Sequence, residues 1–393
     1  GLLSLAGGSE TINGLNGSGN VASTTGTVTL TLGDNNATGS HSGAINNTAG
    51  TLSVTKIGSG TQTLSGASNF AGALTVNGGL VAFPSSSASP TAGPLGFSTV
   101  VNLNGGGLSY TGATTNALNR TISIGASAGT VESTNSSGVL TVSSVTSSGG
   151  NLIKNGAGTV SISGTTTLSG GAASVVVNAG TLQAGFGTAG VATITVGATG
   201  NLDQRNAATE ALVLSNAPGA LTVSGGARLG FELHGALNDT IDLGVSGTAV
   251  TSGVITLDLF STGGGVAAGT YNLLTSANGG LAGATYALGT APNGFNYTIN
   301  VTDTLVSVTV TNYTPIFWRG GQDLSWSTLG TSPANWTTDS AGATTAGSTP
   351  LLADTVIFSA TGAPSGTVNT TLDAGFTIDS LQFNNVPGST NVT

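Results

Sequence analysis

The chain has no cysteine and no methionine, and only 5% of its 393 residues are charged. Without cysteine it builds neither disulfides nor thiolate metal sites, so its stability has to come from a long, regular core. Methionine is missing even at position 1, the expected sign of a processed product or of part of a longer chain. Six basic residues face 15 acidic ones, for a net charge of −9. So few cations cannot track a phosphate backbone or an anionic lipid surface, which argues against nucleic acid and membrane as partners. No apolar run is long enough to cross a bilayer. The best helical segment, Ala207 to Leu212, is too short to nucleate alone.

Glycine is abundant, at 65 residues, with Ser, Thr, Ala, Val and Asn filling most of the rest. Glycine lacks the period of three that marks collagen. Disordered chains are poor in aliphatics and rich in charge; this chain is the reverse and should be ordered. Short alternating runs recur throughout, such as Val28-Thr29-Leu30-Thr31-Leu32, Leu52-Ser53-Val54, Ile122-Ser123-Ile124 and Leu221-Thr222-Val223. Each reads apolar, polar, apolar, the period of a half-buried strand. Gly, Asn and Ser clusters between them supply turns.

One phrase occurs twice. Lys56-Ile57-Gly58-Ser59-Gly60-Thr61 is followed by Val76-Asn77-Gly78-Gly79-Leu80; Lys154-Asn155-Gly156-Ala157-Gly158-Thr159 is followed by Val177-Asn178-Ala179-Gly180-Thr181-Leu182. Repetition of this kind, with very short strands and matching turns, favours a solenoid of stacked parallel strands over a string of sandwiches. The two phrases should begin equivalent coils of roughly 20 residues. The glycines at 58, 60, 156 and 158 are expected at turns that tolerate positive φ. Lys56 and Lys154 are expected as gatekeepers beside the sheet surface.

The Lys-x-Gly-x-Gly-Thr phrase, with the Val-Asn-Gly/Ala-Gly-x-Leu that follows, resembles the autotransporter-associated β-strand repeat of giant bacterial surface and passenger proteins. The resemblance covers residues 52–83 and 150–185. It implies an all-β fold, a right-handed parallel β-helix, and an extracellular or bacterial cell-surface location. The domain reading is a parallel β-helix over 1–313 and a smaller C-terminal β module over 314–393. That module holds all three tryptophans, Trp318, Trp326 and Trp336. It resembles the start of a further unit in the same proteins.

No segment makes a persuasive active site. Gly125-Ala126-Ser127-Ala128-Gly129 matches a nucleophile elbow, but such an elbow needs a helix after it, and a strand-like run follows. His41 and His234 are the available bases, and no local pattern ties either to Ser127. Glu232, His234, Asp239 and Asp242 form the densest polar group. The metal reading competes there with a solvated strand face and a turn, and the latter is favoured. We therefore expect no catalytic residue, metal or cofactor. The tryptophans read as a packing plug before a sugar platform. Thr-x-Thr pairs such as Thr27-Val28-Thr29 suggest an ordered hydroxyl array, but their uneven spacing argues for ordinary strands. The sequons at Asn296 and Asn335 are no more frequent than so much Ser and Thr would produce.

The expected role is that of a non-catalytic structural unit of a surface fibre, filament or matrix. The alternatives are an adhesin binding surface glycans and, less favoured, a polysaccharide-degrading enzyme. Both ends read as mid-strand. Head-to-tail self-assembly, as a homopolymer or as tandem units, is expected through Leu2, Leu3 and Leu5 at one end and Trp318, Trp326, Trp336, Leu381 and Phe383 at the other.

Overall fold

The alternating pattern becomes strand after strand in a computed structural model. The model describes residues 1–383 apart from 86–87, 90, 169–172, 186–190, 215–216, 293–294, 313–314, 330–333, 351–353, 359–369 and 379. The expected boundary at 313/314 and the chain end at 384–393 lie outside the described residues. Two compact units are present. The first comprises Gly1–Val266, Tyr271–Ala291 and Ile299–Val308; the second comprises Ala267–Thr270, Pro292–Thr298 and Thr309–Thr393.

The first unit is a parallel β-solenoid. One ladder runs through Glu10–Ile12, Thr27–Leu32, Thr51–Lys56, Leu74–Val76, Val100–Leu103, Thr121–Ile124, Ser144–Ser147 and Thr166–Leu168. A second runs through Gly39–His41, Thr61–Leu64, Leu80–Phe83, Gly107–Tyr110, Gly129–Ser133 and Leu152–Asn155, and enters the start of Val175–Ala184. A third runs through Thr115–Ala117, Val139–Val142 and Thr159–Ile162 to the end of that same strand. Each coil in this stretch therefore has three short strands joined at corners. Neighbours along the coil axis are parallel, so an interior strand's N–H and C=O groups pair with the coils before and after it.

Inward positions stack like on like. Leu30, Val54, Leu74, Val101, Ile122 and Val145 are register partners, each at most 1% exposed. Burying each aliphatic side chain contributes about 1.5–3 kcal/mol before chain entropy is counted. The coil length is not constant. The bonds Ser9–Thr29 and Lys154–Ala179 span 20 and 25 residues, whereas Gly219–Thr248, Arg228–Asp258 and Asp242–Thr275 span 29, 30 and 33. The added length accommodates excursions such as the antiparallel pairing of Leu233 with Asn238.

The second unit contains a four-stranded sheet in the order Trp336–Thr337, Ile316–Trp318, Thr355–Phe358, Ser380–Phe383. Its core is Trp318, Trp326 and Trp336 packed on Ile316, Val356 and Phe358.

Candidate functional site

The repeat phrase makes the most distinctive site in the solenoid, and it differs from the surface gatekeeper that the sequence suggests. Lys56 and Lys154 are the only lysines in the chain, and both are 0% exposed. Each sits at an inward position of a ladder, Lys56 between Leu32 and Val76 and Lys154 between Val131 and Val177. Its ammonium turns into the corner and donates to backbone carbonyls. Lys154 Nζ lies 2.7 Å from Asn155 O, 2.7 Å from Gly156 O and 2.8 Å from Ala179 O. Lys56 Nζ lies 2.6 Å from Ile57 O, 3.0 Å from Gly58 O and 3.4 Å from Gly78 O. An ammonium has three donors and no acceptor, so three carbonyls use it completely. Burial pushes the Lys154 ammonium down to about 8, with nearby Glu132 opposing the shift. Burial lowers Lys56 too.

The glycines serve this corner in two ways. Gly58 and Gly156 have φ of 67° and 76°, as expected. Gly60 and Gly158 do not have positive φ. They are glycines because a Cβ would lie 2.2 Å from Ala37 O and from Asn135 O respectively, where the preceding coil passes. Gly79, at φ 59°, also makes room for the ammonium: a Cβ there would lie 2.8 Å from Lys56 Nζ.

The two phrases are locally equivalent but begin on different sides of the solenoid. The Lys56 strand belongs to the first ladder, whereas the Lys154 strand belongs to the second. The phrase is thus a corner unit, free to start on any side because it fastens only adjacent coils.

The other candidates do not converge. Ser127 lies exposed in the turn before Gly129–Ser133, its N–H donating to Asn104 Oδ1. The strand holding His41 is four rungs away along the second ladder, about 19 Å at the usual strand spacing. His41 is 1% exposed, and burial lowers its pKa.

Of Glu232, His234, Asp239 and Asp242, His234 is exposed on its strand, and Glu232 and Asp239 are not on a solvated face. Glu232 is 5% exposed and Asp239 is 0% exposed. Glu232 Oε2 accepts from the N–H groups of Asn206 at 3.0 Å and Ala208 at 3.1 Å. Asp239 accepts from Glu210 N at 3.0 Å and Glu232 N at 2.6 Å. These carboxylates brace the excursion between Leu233 and Thr240. Burial pushes Asp239 up to about 7, with Glu232 and Glu210 adding repulsion against its backbone donors. Asp242 accepts from Gly244 N and Thr275 Oγ1, and His234 Nδ1 meets Thr262 Oγ1 at 2.7 Å. Among the described residues no group of three His, Cys, Asp or Glu side chains is placed to hold a metal ion.

Trp318, Trp326 and Trp336 are 2%, 4% and 1% exposed. Trp336 meets Trp318 and Trp326 edge to face, those two are stacked on one another, and Trp336 Nε1 donates to Trp326 O at 3.0 Å. No indole face is open for a sugar ring. Asn335 is also buried, its Oδ1 accepting from Gln322 N and Asp323 N, so this sequon is structural. Asn296 is exposed.

Of the remaining expected assembly residues, Leu2 is 63% and Leu3 45% exposed, Leu5 is buried at 2%, and Leu381 is 46% exposed. Phe383 is backbone-paired with Phe358.

Residues 54–82 and 152–184 match the family model described as passenger-associated-transport-repeat. No curated protein and no solved structure matches the chain.

Proposed function

We propose that this chain, which carries two autotransporter-associated β-strand repeats on a parallel β-solenoid, is a non-catalytic structural segment of a secreted or cell-surface passenger protein. Its coils then act as one length of a surface fibre or matrix. The observation that carries this reading is the fate of the polar groups. Lys56, Lys154, Glu232 and Asp239 are consumed by backbone carbonyls and N–H groups, several of them on the neighbouring coil, so their chemistry is devoted to continuing the stack.

Head-to-tail stacking extends the same logic. The strand Leu2–Ala6 pairs on one side with Asn20–Thr25 and, among the described residues, has no partner on its other side. Leu2 and Leu3 are exposed on it. An open strand edge templates another strand, and a heterologous contact of this kind propagates as a filament. The indoles are taken up by their own core, which leaves Leu2, Leu3 and Leu381 as the exposed apolar groups of the proposed junction.

Electron micrographs of the purified chain at high concentration test the reading. Filaments that shorten in Leu3→Glu and Leu381→Glu variants are expected. Monomers that bind a glycan array, or a pure chain that hydrolyses a polysaccharide, would overturn it.

A further inference from the structure

The second ladder of the solenoid is thin at one joint. Gly39–His41 pairs with Thr61–Leu64 through three register partners, but on its other side it meets residues 13–18 through a single bridge, Gly17 with His41. Side chains stand in for the missing strand. Asn16 Oδ1 accepts from Ser40 N at 2.9 Å. Gln62 reaches past Gly39 to Leu15, 47 residues away, where its Oε1 accepts from Leu15 N at 3.0 Å and its Nε2 donates to Leu15 O at 2.8 Å. Gly39 lets it pass, since a Cβ there would lie 2.5 Å from Gln62 Oε1.

His41 stands in this joint at a buried, inward position. It is 1% exposed, and neither Nδ1 nor Nε2 has a hydrogen-bond partner. Among the described residues no other ionisable side chain has a buried polar atom left in that state. Lys56, Lys154, Glu232 and Asp239 all spend their polar atoms on backbone groups. The register gives the ring Leu64 on one side and Gly17, with no side chain, on the other. The segments that pair with it, 13–18 and Thr61–Leu64, hold no ionisable side chain. Elsewhere in residues 1–83 the ionisable side chains are Glu10 and Asp34, both exposed, and Lys56, whose ammonium is committed to three carbonyls. The ring therefore has no carboxylate to receive it as a cation.

We propose that this joint is an acid-operated release: a proton taken up by the His41 imidazole parts residues 13–18 from the strand Gly39–His41, while the coils beyond stay closed. Imidazole changes charge between pH 5 and 8. Neutral, the ring is tolerated among apolar neighbours; charged, it has to be hydrated or paired. Hydration comes most readily from the side of residues 13–18, where one bridge covers the ring and Asn16 and Gly17 are themselves exposed. Burial holds the folded pKa below the ordinary 6.5, outweighing the nearby backbone of Gly17 and Asn16, which favours the proton. A base whose folded pKa is lowered contributes stability that is full above about pH 6.5 and is lost as pH falls below it. Asp239 acts with the opposite sign, so a local measurement separates the two. Opening bares the edge of Gly39–His41, giving the solenoid in acid a strand edge that neutral surroundings keep covered. None of this depends on how the chain assembles.

Amide exchange of the whole chain tests the joint, expressed as protection factors so that the intrinsic pH dependence of exchange cancels. The reporters are Leu15, Gly17, Ser40 and Ser42, whose N–H groups bond across it. Their protection should fall about fivefold or more between pH 7 and 5, one proton allowing at most tenfold per pH unit. Gly158 and Thr181 at the Lys154 corner, and Glu210 and Glu232 beside Asp239, should hold or gain protection over the same range. His41→Leu and His41→Gln cannot titrate and should leave the four reporters as protected at pH 5 as at pH 7. His41 is one of only two histidines, so its ring can also be followed by magnetic resonance in the unsubstituted chain, where it should titrate below 6.5. A titration at or above 6.5 would overturn the proposal. So would reporters that ignore pH, or a fall that survives in a folded His41 variant. Protection that rises in acid, as an imidazolium clamped to the Gly17 carbonyl would give, would overturn it too.

Discussion

The Nζ of Lys154 donates to the carbonyl oxygen of Ala179, 25 residues further along the chain, at 2.8 Å. With its bonds to Asn155 and Gly156 it fastens a corner to the coil that follows. Replacing the ammonium with a thioether of similar length, Lys154→Met, keeps the volume and strands three carbonyls. An unsatisfied buried polar group costs about 1–3 kcal/mol, and water reaching the opened corner recovers part of the loss. We expect a net cost of about 2–4 kcal/mol in urea unfolding followed by far-ultraviolet dichroism. Amide exchange should rise first at Gly158 and Thr181, which lie beside the corner. A variant as stable as the parent would refute the clasp.

The corner glycines give a sharper contrast. A Cβ on residue 158 would sit 2.2 Å from Asn135 O, whereas one on residue 263 meets nothing within 4 Å. Gly158→Ala should cost about 1–3 kcal/mol through forced separation of the coils. Gly263→Ala should be near neutral. The measurement is the thermal midpoint of each variant.

Asp239 makes stability depend on pH. Its folded pKa is raised to about 7 from the ordinary carboxylate value of 3.8, chiefly by burial. Between those values the folded state holds a proton that the unfolded state releases, so unfolding is penalised most at low pH. This group's contribution is full below about pH 4 and is lost as pH rises through about 7. Asp239→Asn cannot titrate and should flatten the slope of the unfolding midpoint between pH 4 and 7.5. An unchanged slope would place the titration elsewhere.

All three tryptophans belong to the second compact unit. Their fluorescence therefore reports that unit alone, while dichroism is dominated by the strands of the first. Buried indoles should emit at short wavelength and resist quenching by iodide. Trp336→Phe removes the bond to Trp326 O and should lower the fluorescence-detected midpoint, leaving the dichroism transition in place.

Much of the fold is written in the alternation of the strands, because a half-buried parallel strand has no other way to place its aliphatics. The buried lysines were legible too, through parity. Lys56 falls in step with Leu52 and Val54, and Lys154 with Leu152, all inward. The habit of placing lysine on a sheet edge hid that signal. The burial of Glu232 and Asp239 was not legible, since it depends on an excursion that folds back over the strand and on N–H groups 24 to 29 residues away. The alignment of Thr11, Thr31, Thr55 and Thr75 on successive strands was hidden for a related reason. Coil length changes along the chain, so residues that align in space are not periodic in sequence.

With both lysines sealed inside the corners, the folded solenoid shows no side-chain amine to its surroundings. A protease that must draw a lysine into its specificity pocket finds none until a coil opens. Reagents and enzymes that condense amines with carboxylates or aldehydes find neither lysine. The clasp that fastens the coils thus also conceals the chain from a whole branch of covalent chemistry, and mild amine labelling of the intact solenoid should leave both lysines unmodified.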